Sequence, residues 1–197
     1  MTASTTRCSA SLPEAMRVFA IALFLLCMPL PALADANVRV ASLISTEDGY
    51  VVNADFELEL NPRLIDALQR GVSLYFSVEL NVEQPRWYWF DRTVVERKLQ
   101  YRLAYHTITR SYRLSFGGLH RNFDSLAAAL RTMTRVRNWH VMTHDMVQEQ
   151  AVYRAALRMR HEIELLPKPL VVTATGGREW NLATPWLRWE FSGEPRP

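Results

Sequence analysis

Few side chains in this sequence are placed to do chemistry. His140 and His144 stand four residues apart, with Asp145 beside the second and Glu149 further along. On a helix that spacing would bring two imidazoles onto one face with a carboxylate in reach, the ligand set of a metal-dependent hydrolase. The segment Trp139–Met142 reads instead as a strand, and in an extended chain the two histidines would sit about 13 Å apart. Both are therefore expected to be polar loop or edge residues. His161 falls on the apolar side of an alternating run, between Met159 and Ile163. A histidine buried there is expected to be neutral and hydrogen-bonded at a sheet end.

Signals for a nucleophile are missing. No G-x-S-x-G elbow occurs, and neither Gly117-Gly118 nor Gly176-Gly177 opens a phosphate loop or a dinucleotide fingerprint. Cys8 and Cys27, the two cysteines, both precede residue 35. The reading is of a non-enzyme that needs no cofactor.

The strongest candidate for binding is the block Trp87-Tyr88-Trp89-Phe90, bracketed by Arg86, Asp91 and Arg92. In a strand, Trp87 and Trp89 share one face and Tyr88 and Phe90 the other. Aromatics this large are usually covered, here by the opposite sheet and by the second helix or the segment carrying Trp180, Trp186 and Trp189. Left uncovered, Arg86, Trp87, Trp89 and Arg92 would form a sugar-stacking or protein-docking surface. A second surface depends on strand order. Arg97, Arg102, Arg110 and Arg113 would join Arg154, Arg158 and Arg160 in a basic stripe, unless Glu79, Glu96, Glu162 or Glu164 pair with them.

Period-two alternation positions these residues. From Tyr50 to Leu60 and from Val72 to Val82 the even positions are apolar, and from Tyr153 to Leu165 the odd ones are. These are half-buried antiparallel strands. Further strands are expected at Val38–Ile44, Trp87–Val95, Gln100–Thr107, Ser111–Phe116, Trp139–Met142, Leu170–Thr175 and Trp186–Phe191, separated by Gly- and Pro-rich turns. Two short helices are expected. One runs from Pro62 to Arg70, with Asn61 as N-cap and Gly71 ending it, and the other from about Asp124 to Val136. The fold class is mainly β: an antiparallel β-sandwich or an open barrel-like pair of sheets with two short helices.

The start of the chain reads as an export signal. Arg7 and Arg17 precede an apolar run from Val18 to Leu30, followed by Pro31, Ala32, Leu33 and Ala34. The run is about a dozen residues, short of the roughly twenty that stay in a bilayer. Cleavage after Ala34 is expected, with an uncleaved, membrane-anchored form as the alternative. Leu26 before Cys27 is the wrong residue for lipid attachment. Residues 35–192 then form one periplasmic domain, and residues 193–197 a disordered tail. With both cysteines inside the signal, that domain has no disulfide and is stabilised by packing alone. The formal net charge is +3, but acids are interspersed among the arginines and no run of like charge occurs. Nucleic acid is not an expected partner.

Several stretches resemble a family. Asn61-Pro62-Arg63-Leu64 before Ala67-Leu68, Arg86-Trp87-Tyr88-Trp89-Phe90-Asp91, Tyr101-Arg102-Leu103-Ala104-Tyr105-His106, and Leu165-Leu166-Pro167-Lys168-Pro169-Leu170 followed by Trp180 and Trp186 are similar to the exported proteobacterial family DUF4390. At the strand before the Pro-Lys-Pro turn the chain departs from that pattern, with His161-Glu162 in place of Leu-Asp. The resemblance implies a small extracytoplasmic domain often encoded near a membrane-bound sensor histidine kinase. It supplies no catalytic residues. The leading expectation is a periplasmic interaction or accessory module for an envelope or membrane protein. A glycan or lipid-fragment binding domain is the second, and a metal-dependent hydrolase built on His140 and His144 the third.

Overall fold

In the computed structural model, residues 36–193 are described with the exception of Trp89 and Gly176. Alternation builds two antiparallel sheets. Strands β1 (Ala36–Thr46) and β2 (Gly49–Leu58) form a hairpin, and β7 (Arg135–Met142) pairs with the other side of β2. Gly49 holds that corner. Its φ of +135° suits only glycine, and a Cβ there would lie 2.3 Å from the Met142 carbonyl oxygen.

The second sheet has six strands in the order β6 (Leu119–Phe123), β5 (Ser111–Phe116), β4 (Arg92–His106), β3 (Leu74–Gln84), β8 (Val152–His161), β9 (Leu187–Ser192). On β3 the even residues Leu74, Phe76, Val78, Leu80 and Val82 are fully buried, and Ala155, Leu157 and Met159 of β8 lie beside them. Removing each of the larger side chains from water contributes about 1.5–3 kcal/mol, so this row ties β4 and β8 into one layer. Val52, Ala54 and Phe56 of β2 belong to the same hydrophobic cluster. The Arg97 side chain reaches from β4 to β7, its Nε donating to the Val141 carbonyl at 3.0 Å.

Helix α1 (Pro62–Gln69) carries the chain from the small sheet to the large one. It starts as its sequence predicts: the Asn61 side chain accepts from the Leu64 amide, Pro62 opens the first turn, and Leu64, Ala67 and Leu68 are buried. Helix α2 (Leu126–Met133) links β6 to β7, capped by the Ser125 hydroxyl, with Ala129 and Met133 in the core. It is shorter than expected because the Phe56 amide takes the Thr134 carbonyl at 2.9 Å and draws the following residues into β7.

Expected strands are corrected in three places. Trp87–Val95 and Gln100–Thr107 are not two strands: β4 starts at Arg92 and runs unbroken to His106, and the aromatic block precedes it as a loop. The strand expected to reach Leu165 ends at His161, where the Glu162 amide donates to the Tyr75 carbonyl and the chain turns into a 3-10 helix, Ile163–Leu165. Leu170–Thr175, rich in β-branched residues, is helical: α3 spans Lys168–Thr175. The Pro167 carbonyl accepts from both Leu170 and Val171 and starts the helix, while Leu187–Ser192 takes the place beside β8. Tertiary placement overrides β propensity there. Strand β6 is an addition to the expected set: it lacks apolar alternation, pairs with β5 at the sheet edge, and packs Phe123 against the core. Gly193, expected to begin a disordered tail, is buried, donating to the Ala151 carbonyl and accepting from the Gln150 amide.

Candidate functional site

The β3–β4 ladder ends at the pair Gln84–Arg92, so residues 85–91 form a loop beyond the sheet. Trp87, Tyr88 and Phe90 lack the expected cover. Trp87 is 94%, Phe90 85% and Tyr88 68% exposed. Beyond the last ladder pair neither sheet face continues, so the alternation argument that would bury one side of the block no longer applies. The Trp87 and Tyr88 rings meet edge-on, with centroids 5.1 Å apart at 73°. Trp89 lies outside the described residues.

Asp91 fixes the base of the loop. Its carboxylate accepts from the Arg86 amide at 3.4 Å and from the Arg154 guanidinium of β8 at 3.1 Å, and Arg154 also reaches Glu190 of β9. Arg86 and Arg92 are exposed, and neither has an ion pair among the described residues. The arrangement is an apolar tip between two exposed arginines on a hairpin end tied to β8 and, through Arg154, to β9.

His140 and His144 both serve the β1–β2 hairpin. His140 Nε2 lies 3.1 Å from the Asp48 carbonyl, and His144 Nε2 lies 2.7 Å from that of Thr46. As donors, these nitrogens hold the carbonyls of the β1–β2 turn. The His144 ring also packs 5.1 Å from that of Tyr50. Among the described residues, no three His, Cys, Asp or Glu side chains converge as a metal site. His161 is buried as expected, with Nδ1 3.0 Å from the Trp180 carbonyl and its ring 5.3 Å from that of Phe76. Burial pushes its pKa down, against the weaker opposing pull of the Trp180 carbonyl and of Glu162 and Glu164. It is a neutral Nδ1–H donor.

Strand order decides the fate of the arginine stripe. β4 and β8 flank β3, and Glu79 of β3 stands opposite Lys98 on one side and Arg158 on the other. Glu79 accepts from Arg158 at 2.7 Å and Arg160 at 3.1 Å. Glu162, only 4% exposed, accepts from Ser77, Arg160 and Lys98. Burial alone would raise the Glu162 carboxyl, but hydrogen bonds from Lys98 and Ser77 and the charges of Arg160 and Lys98 outweigh it and hold the pKa below the ordinary value. Trp186 covers the cluster, with the Arg158 guanidinium 4.3 Å from its ring centre. Arg97 leaves the stripe by pointing to β7, and Arg102 turns to Ser73.

The sequence reading passed over Lys98, Ser77 and the burial of Glu162. One signal was present: Lys98 and Lys168 are the only lysines among many arginines, and Ser77 is a small residue at an outward position, where a neighbouring side chain can fold over it. A further concavity lies between β1–β2 and α2, an open cleft of about 580 Å³ with Phe56, Leu58 and Leu130 among its apolar lining and Arg39, Glu57 and Arg131 among its charges.

Fold and site together define a two-sheet antiparallel β-domain with an exposed aromatic loop and a paired charge cluster on its large sheet. The model of the family described as a domain of unknown function, DUF4390, matches residues 34–190, and the chain belongs to that family. No curated protein and no solved structure matches it.

Proposed function

We propose that the chain is an exported, periplasmic accessory domain that docks through loop 85–91 onto the cell envelope, with a membrane-bound sensor histidine kinase as one candidate neighbour. The observation that carries this reading is the exposure of Trp87 and Phe90, at 94% and 85%, on a loop whose base is fixed by Asp91. Large aromatics held open in this way lose little conformational freedom when covered, which is why such side chains dominate docking surfaces. Export is supported by the order Arg17, apolar Val18–Leu30, Ala32-x-Ala34.

Crosslinking in intact cells, followed by recovery of the protein with whatever is attached, tests the reading. Wild type is expected to sediment with envelope material and Trp87→Ala/Phe90→Ala to be released. Equal recovery of envelope material by both would exclude the loop. The cleft beside α2 favours a second reading, a glycan or lipid-fragment binding domain. A thermal-shift screen with cell-wall fragments tests it, and a shift lost in Leu130→Arg would place the ligand there.

A further inference from the structure

Loop 85–91 differs in kind from a flat docking patch. It is the turn at the end of the β3–β4 hairpin, beyond the last ladder pair Gln84–Arg92, and Trp87 and Phe90 are 94% and 85% exposed there. A protein that covered them would need a socket shaped to a convex tip. A bilayer interface closes round such a tip with no matching shape, and Trp and Tyr are the side chains that settle at the level of lipid headgroups.

The charge pattern agrees. The one acid of the loop, Asp91, is drawn back onto Arg154 of β8, while Arg86 and Arg92 at the two shoulders are exposed and carry no ion pair among the described residues. Guanidinium groups beside an aromatic tip complement phosphate oxygens lying above hydrocarbon. Among the described residues no helix is long and apolar enough to cross a membrane.

We infer that loop 85–91 inserts into the headgroup region of an anionic phospholipid surface, with Trp87, Tyr88 and Phe90 as the buried tip and Arg86 and Arg92 on the phosphates. This rests on the docking reading and names lipid as the partner. Binding through one short loop is weak and reversible, and it needs both the apolar and the ionic component.

The test is vesicle flotation with protein recovered from cells after export. Vesicles of phosphatidylglycerol mixed with phosphatidylethanolamine are compared with phosphatidylcholine alone. Wild type is expected to float with the anionic vesicles, and Trp87→Ala/Phe90→Ala to lose about tenfold in partitioning. Arg86→Gln/Arg92→Gln should bind the two vesicle types alike. Ile108→Ala, at an exposed turn at the far end of β4, controls for generic apolar surface. Equal flotation of wild type and both loop variants overturns the lipid assignment. If flotation is equal but the loop variants lose a crosslinked protein in cells, the docking reading stands without lipid; if neither changes, both fall.

Discussion

Lys98 Nζ lies 2.5 Å from Glu162 Oε1, although the two residues are far apart in sequence and Glu162 is at the end of β8. The carboxylate is nearly buried, so its charge depends on this ammonium and on Arg160. Lys98→Met is expected to lower stability by about 2 kcal/mol, because it removes one partner and leaves a buried charge less compensated. Lys168→Met, at an exposed site, should stay within about 0.5 kcal/mol. Urea unfolding of both variants makes the comparison, and equal effects would mean that the pair contributes nothing.

Two buried groups contribute to the response to acid. The lowered pKa of His161 means that the unfolded chain takes up a proton, near the ordinary value of 6.5, before the folded one does. Its contribution is complete above that value and declines as pH falls toward the lower folded pKa. Glu162 behaves in the same direction further down: its contribution is present above the ordinary 4.5 and is lost as pH falls through its depressed folded value. Stability measured between pH 7.5 and 5.5 should fall less steeply in His161→Gln than in wild type. An unchanged slope would show that His161 is not buried neutral.

Gly49→Ala should be severe, costing about 2–4 kcal/mol, since it combines a left-handed backbone with a Cβ 2.3 Å from the Met142 oxygen. Gly118→Ala offers a contrast at an open turn. Its φ of +82° also favours glycine, but no atom lies within 4 Å of the added Cβ, so the cost should be about 1 kcal/mol. Melting temperatures of the two variants would separate strain from collision.

Trp87→Ala/Phe90→Ala should leave folding stability within about 0.5 kcal/mol of wild type, because exposed side chains lose little solvent-excluded area when truncated. A large destabilisation would mean that the aromatic tip is part of the core. Asp91→Ala, by contrast, releases Arg154 and the Arg86 amide together and should loosen the loop, which amide exchange at residues 86–92 would detect.

The sequence by itself determined the class of this protein. Period-two runs at 50–58 and 74–82 have one solution, a sheet with one face in the core, because a one-residue slip would turn Val52, Phe56, Phe76 and Leu80 to water. Asn61-Pro62 and Gly71 likewise bounded α1, since their preferences are local and act through the adjacent backbone. Only the tertiary structure decided the rest. Leu170–Thr175 became a helix because β9 holds the place beside β8. The aromatic block became an open tip because the ladder ends at Gln84–Arg92. Whether Arg158 and Arg160 formed a basic stripe or a neutralised cluster depended on β3 lying between β4 and β8, which brings Glu79 and Glu162 among them. Neighbours across a sheet are set by strand order, and strand order follows from how two apolar faces are jointly covered, a property of the whole chain that no local run of residues encodes.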